Sequence, residues 1–153
     1  MDLVVATHGR GIYRTNVKAI QLKYTAPLID GKDYLFEVDT IQRPWFNSNG
    51  GEPDYRTIKK ATFSLWLNES MPIELSLRDE GGKVVWRSVV QGDKGFFQYR
   101  WDLVINRETS NHPYFINYEQ FIEAGKYTLV ASVGSTQLEQ TVYVVETSSP
   151  HIK

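Results

Sequence analysis

Few side chains of this sequence have the types and spacing that catalysis requires. Asp79 and Glu80 are adjacent carboxylates, but Gly81 and Gly82 follow them and predict an exposed turn. An exposed turn lacks the apolar pocket in which a carboxyl group works as a general acid. No Gly-rich phosphate-binding motif occurs in the sequence.

The histidines do not suggest a metal site either. They are far apart in the sequence, at His8, His112 and His151. Zinc ligands usually occur in short-spaced pairs, which these residues do not form. We therefore expect no catalytic residue, no metal and no cofactor.

Aromatic residues in polar loops are the best candidates for contact with a ligand. They lie in segments rich in Asn, Ser, Gly and Pro, and flat rings beside amide groups suit the faces and edges of sugar rings. The alternative is that these rings pack long loops onto the rest of the fold. The candidates are Trp45, Phe46, Tyr114, Phe115 and Tyr118.

The Trp101–Asp102 pair is interpreted as structural. A buried aromatic side chain removes about 150–250 Å² of surface from water, and a small β-sandwich needs such a side chain between its sheets. Asp102 is expected to hydrogen-bond a neighbouring loop. Besides Trp101, the predicted core contains Leu75, Tyr99, Tyr127 and Leu129.

The composition of the 153-residue chain is that of a folded domain, with 41% apolar and 23% charged residues. A net charge of −1 argues against nucleic acid as a partner and against a polybasic membrane anchor. No apolar run approaches the roughly 20 residues that span a bilayer. The absence of cysteine excludes disulfides. An aromatic fraction of 13%, with short alternating apolar runs, predicts an all-β fold.

The chain is organised around residues 72–103. Residues 73–77 alternate apolar and polar side chains, which predicts a strand with one buried face. Turn residues at 79–82 lead into a second strand over 83–90, so the pair predicts a hairpin. A third alternating run over 97–103 predicts a further strand.

Other alternating runs predict strands at 61–67, 126–133 and 136–145. With the central stretch and its neighbours, this gives about seven strands, at the spacing expected of an antiparallel sandwich.

The remaining segments are less regular. Within 17–60 the sequence predicts a wrapping linker, with a short strand at 34–38. Residues 104–118 are predicted as a long connection, and 118–122 as a helical turn or an irregular strand.

The N-terminal residues contain the strand-turn-strand sequence DLVVATHGRGIY. It resembles the closing blade of the β-propellers in sialidase-like and sortilin-like repeat glycosidases. The resemblance implies that the chain is the C-terminal piece of a longer exported protein, and Arg10 could then clamp a carboxylate or simply lie in a polar turn. A blade needs four strands and neighbouring blades, so we predict self-association or disorder at this open-edged pair.

A second resemblance covers most of the chain after residue 60. The sequence GKVV at 82–85, Gly95 followed by Trp101–Asp102, and AGKY at 124–127 resemble the Ig-like module of the flagellar hook-capping protein and related C-terminal modules of exported bacterial enzymes. That family runs from W-D into a short P-G-x-Y turn. Here residues 106–123 form an insertion, and Ala124 replaces the proline.

Together these features predict an Ig-like or fibronectin III-like antiparallel β-sandwich over 61–146. A propeller remnant at 1–16 and the linker at 17–60 would precede it, and a disordered tail at 147–153 would follow. The first residues show no signal-peptide pattern.

The predicted function is that of a non-catalytic accessory domain of an exported glycosyl hydrolase-like propeller protein. It would support the last blade or attach the protein to a surface or polymer, with a polysaccharide or the parent propeller as partner. Two alternatives stay open. A carbohydrate-binding module would have an exposed aromatic strip, and a protein assembly module would have an apolar edge or patch.

Overall fold

The computed structural model describes residues 2–7, 11–16, 31–43, 60–108 and 118–146. All regular structure in these ranges is β-strand, and they contain no helix. The predicted all-β class is therefore confirmed for the described part of the chain. The predicted tail at 147–153 and the turn that contains Arg10 lie outside the described residues.

Twelve strands are present in these ranges. The first six are β1 (Asp2–Thr7), β2 (Gly11–Asn16), β3 (Tyr34–Leu35), β4 (Ile41–Arg43), β5 (Ala61–Leu67) and β6 (Met71–Arg78). The other six are β7 (Val84–Gly92), β8 (Gly95–Trp101), β9 (Val104–Glu108), β10 (Tyr118–Phe121), β11 (Gly125–Val133) and β12 (Thr136–Glu146).

Eight of these strands form two larger sheets. The five-stranded sheet has the order β4-β12-β11-β6-β7, and the three-stranded sheet has the order β3-β5-β8. All their pairs are antiparallel except β4 with β12, which is parallel. The remaining strands form two antiparallel pairs, β1 with β2 and β9 with β10.

The β6–β7 hairpin forms where alternation and turn residues predict it. Its turn is held by Asp79, whose Oδ1 accepts a hydrogen bond from the backbone N–H of Lys83 at 2.8 Å. Gly82 has φ +81°, a backbone conformation that residues other than glycine rarely adopt. The third strand of this stretch, β8, does not join the hairpin but pairs with β5 in the other sheet.

The segment 34–43, which the sequence places in a wrapping linker, contributes an edge strand to each larger sheet. The strand predicted over 34–38 is shorter in the structure, where β3 ends at Leu35. The next residue, Phe36, still donates a backbone hydrogen bond to Ser64 O of β5, at 3.0 Å. The chain then crosses to the second sheet, where β4 pairs with β12. One short segment thus belongs to both sheets.

The connection predicted over 104–118 is corrected at its start, where β9 occupies residues 104–108 and pairs with β10. Leu103 adopts φ 70°, and the chain bends at this residue between β8 and β9. Its carbonyl accepts a hydrogen bond from Ile122 N–H at 2.9 Å. Residues 118–121 therefore form a strand rather than a helical turn.

The two larger sheets face each other across one apolar core. Aromatic rings join them: Trp86 of β7 lies 4.8 Å from Trp101 of β8 between ring centroids, and Phe63 of β5 lies about equally close to both, at 6.1 and 6.0 Å. Aliphatic side chains fill the rest of the interior. Among those fully buried are Leu65, Leu67, Ile73, Leu75, Leu77, Leu129 and Val142.

Truncation of Trp101 is expected to destabilise the fold strongly. Trp101 is 2% exposed and touches aromatic rings of both sheets. Trp101→Ala should lower the free energy of unfolding by about 3–5 kcal/mol, as large core truncations do. Urea unfolding measures this change. Tyr143→Ala is the control, because Tyr143 is 52% exposed on β12, and equal losses in the two variants would contradict the assignment.

Candidate functional site

The aromatic residues proposed as ligand contacts fall mostly outside the described structure. Trp45, Phe46, Tyr114 and Phe115 are outside the described residues, and Tyr118 begins β10 without a described side chain.

The predicted core residues are placed between or beside the sheets. Leu75, Leu129 and Trp101 are buried, whereas Tyr99 and Tyr127 are half-buried and pack against the core. The partial exposure of the two tyrosines lets their hydroxyl groups form hydrogen bonds near the surface.

The carboxylate of Asp79 serves the hairpin turn. Its side chain binds Lys83 N–H, and its carbonyl accepts a bond from Gly82 N–H at 2.9 Å. These contacts show that Asp79 stabilises the turn, whereas Glu80 beside it is exposed.

A cleft of about 350 Å³ opens where β7 and β8 form the edges of their sheets. This is the size range of small-ligand sites in proteins. Among the described residues, five polar ones line it: Lys60, Arg87, Arg100, Asp102 and Asn106. Within this described lining three cations accompany one carboxylate, which is a positive balance in a chain whose net charge is −1.

The wall of this cleft is held by the turn between β8 and β9. Trp101 Nε1–H donates a hydrogen bond to Val104 O at 3.1 Å, and Val104 N–H donates to Asp102 Oδ1 at 3.3 Å. Trp86 and Tyr99 also border the cleft, with ring centroids 5.8 Å apart. Because these rings belong to the core cluster, the wall is part of the rigid fold.

Ion pairing engages one of the three cations. Arg87 Nε lies 3.3 Å from Glu74 Oε1, and both side chains are substantially exposed. Such a surface pair contributes little and leaves Arg87 able to turn toward a ligand. Within the described residues, no ion pair engages Lys60 or Arg100.

A second cleft, of about 390 Å³, lies beside the β6–β7 turn. Arg78 and Lys126 line it together with Asp79, Glu80 and Glu139, so its charges are mixed. This balance favours neither an anion nor a cation.

Tyr127, beside this second cleft, forms a hydrogen bond that ties the start of β11 to the preceding residues. Its hydroxyl donates to Glu123 O at 3.0 Å. Burial raises the pKa of the Tyr127 hydroxyl above its ordinary value of 10.0, and the negative charges of Glu123 and Asp79 add to this effect.

An aromatic row crosses the outer face of the three-stranded sheet. Tyr34 pairs with Trp66, and Trp66 pairs with Phe96, so the three rings lie on neighbouring strands. Phe36 packs edge-on against Tyr34 and Phe96, with centroid distances of 5.0 and 5.9 Å. Phe96 is 39% exposed, while Tyr34 and Trp66 are half-buried.

Sequence reasoning missed both the cationic cleft and the aromatic row. Lys60, Arg87 and Arg100 are spread over three segments and form no short motif. The one available indication was Arg100, which directly precedes the Trp101–Asp102 pair. The row depends on strand register, which composition does not predict.

The described residues contain no group of three or more acidic or histidine side chains that could hold a metal ion. They also contain no helix long and apolar enough to cross a membrane. No protein-family model matches the chain, and the comparison with curated proteins gave no match.

Replacing Tyr127 by Phe tests the hydrogen bond and its pH dependence. At about pH 7 the variant should lose roughly 0.5–1 kcal/mol of unfolding free energy, because the bond to Glu123 O is lost near the surface. The raised pKa means that neutral Tyr127 is favoured by the folded state. Its stabilising effect is therefore complete below about pH 10 and is lost as the pH rises through the folded-state pKa.

Urea unfolding from about pH 7 to about pH 11 measures this difference. The gap between the wild-type protein and Tyr127→Phe should shrink at the alkaline end. Tyr143→Phe, at an exposed position on β12, is the matched control and should follow the wild type. A gap that stays constant over the whole range would contradict the assignment.

Proposed function

We propose that the chain is a non-catalytic Ig-like module that acts as an accessory domain of an exported glycosyl hydrolase-like propeller protein. The fold part of this proposal is supported by strand order. The sheet β3-β5-β8 follows the order of Ig strands A, B and E, and β12-β11-β6-β7 follows G, F, C and C′. The strand β4 adds to G and continues the segment that begins with strand A.

The observation that best supports the Ig-like assignment is the hydrogen bond of Tyr127. Ig domains commonly have a tyrosine near the start of strand F whose hydroxyl bonds the backbone a few residues upstream. Tyr127 is the third residue of β11, and its hydroxyl bonds Glu123 O in the same manner. The residue two positions later is a cysteine in antibody domains, and here it is the fully buried Leu129.

The accessory role is supported by the separate β1–β2 hairpin. These strands pair only with each other among the described residues, and they carry the sequence that resembles a propeller blade. An isolated two-stranded hairpin is marginally stable in water. Such a hairpin gains stability when neighbouring strands of a blade extend its sheet. In the proposed arrangement, the Ig-like module follows the last blade of the propeller in the chain.

Amide hydrogen exchange tests this role. In the chain alone, the amides of β1 and β2 should exchange much faster than those of β6 and β11. In a polypeptide that also contains the preceding blades, exchange in β1 and β2 should slow by at least about tenfold. The amides of β6 and β11 serve as the internal control and should not change.

Two results would count against the accessory role. One is equal protection of β1 and β2 with and without the preceding polypeptide. The other is a preceding polypeptide that forms no propeller blade.

Carbohydrate binding is the second candidate, and the aromatic row of Tyr34, Trp66 and Phe96 favours it. Aromatic rings on an outer sheet face offer flat apolar surfaces to sugar rings. A neutral oligosaccharide that perturbs the indole N–H signal of Trp66 would support this candidate.

A further inference from the structure

The cleft between β7 and β8 combines charge, size and rigidity in a way that the proposed accessory role does not use. Its polar lining consists of Lys60, Arg87 and Arg100 with Asp102 and Asn106. Three cations gathered around one concave site raise the local concentration of anions. The rest of the chain compensates for this positive charge, since the net charge of the whole chain is −1.

The cations of the lining suit an oxyanion such as a carboxylate. Arginine offers a rigid fork of N–H donors that matches a carboxylate, and lysine adds a point charge. Lys60 and Arg100 each directly precede one member of the Ala61–Trp101 pair, which joins β5 to β8. Within the described residues, neither side chain forms an ion pair.

The other lining groups suit a sugar. Asp102 supplies acceptor oxygens and Asn106 supplies both a donor and an acceptor, which are the partners that hydroxyl groups need. The volume of about 350 Å³ is compact, and Trp101 in its wall is buried. A compact polar cleft is better matched to a sugar unit than to an extended peptide, which would need a long groove or edge.

We propose that this cleft binds a carboxylate-bearing sugar unit, as found in an acidic polysaccharide. Arg100 and Lys60 hold the carboxylate, and Asp102 and Asn106 bind hydroxyl groups. This inference rests on the proposed accessory function and goes beyond it: attachment to a polymer is one of the two accessory roles that the sequence led us to expect, and the inference names the class of polymer.

An NMR titration of the full chain tests the inference. The probes are a trimer of galacturonic acid, its methyl ester, and a hexapeptide of glutamate. The reporter is the indole N–H of Trp101, which lies in the cleft wall and bonds Val104 O. The indole N–H of Trp66, on the central strand β5 of the three-stranded sheet, serves as the internal reference, and a shift of its signal would report binding at the aromatic row instead.

The expected result is a saturable shift of the Trp101 signal with the galacturonic acid trimer and none for Trp66. The methyl ester, which removes the charge and adds one methyl group to each carboxyl group, should bind at least about tenfold more weakly. Raising the salt concentration should weaken binding of the acid form, because the contacts are charged and near the surface.

A double variant checks the residues. Lys60→Gln with Arg100→Gln should weaken binding of the trimer by at least about tenfold. The matched control is Lys83→Gln with Lys94→Gln, which removes the same charge from exposed turn positions and should leave binding unchanged. Unchanged positions of the other indole signals show that each variant is folded.

Three results would overturn the inference. The first is no shift of Trp101 with the trimer, and the second is equal weakening in the control variant. The third is equal or tighter binding of the glutamate peptide, which would assign the cleft to acidic protein segments. None of these results bears on hydrogen exchange in β1 and β2, so the accessory role is tested separately.

Discussion

The contact between Trp86 and Trp101 holds the two larger sheets together at the side where β7 and β8 are edge strands. One ring comes from each sheet, their centroids are 4.8 Å apart, and Phe63 packs against both. Aromatic pairs of this kind contribute beyond the area that they bury. A domain without cysteine has no disulfide between its sheets, so side-chain packing must hold the sheets together wherever the chain does not cross between them.

The same contact shapes the surface above it. Directly after Trp101 the chain bends at Leu103, and the hydrogen bonds of Trp101 and Asp102 to Val104 hold this turn. The turn places Asp102 beside Arg100 in the cleft lining, so the core cluster and the cleft depend on one another. A wall built from core residues reduces the ordering cost of binding, which suits the ligand site that we propose here.

The sequence predicted the parts of the fold that rest on local patterns and missed those that rest on distant pairing. Alternation and Gly82 were sufficient for the β6–β7 hairpin. By contrast, β4 is three residues long, and its pairing ends with Arg43 bonding Glu146, which lies 103 residues away. The cleft was missed for the same reason, since only strand register brings Lys60 near Arg100.

A double-mutant cycle on Trp86 and Trp101 tests most directly whether one aromatic contact joins the sheets. The free energy of unfolding is measured by urea titration for the wild type, Trp86→Leu, Trp101→Leu and the double variant. The two losses should be coupled by about 0.5–1.5 kcal/mol, the value of an aromatic pair beyond its buried area. Additive losses, within about 0.3 kcal/mol, would show that the rings stabilise their own sheets independently and would contradict this account.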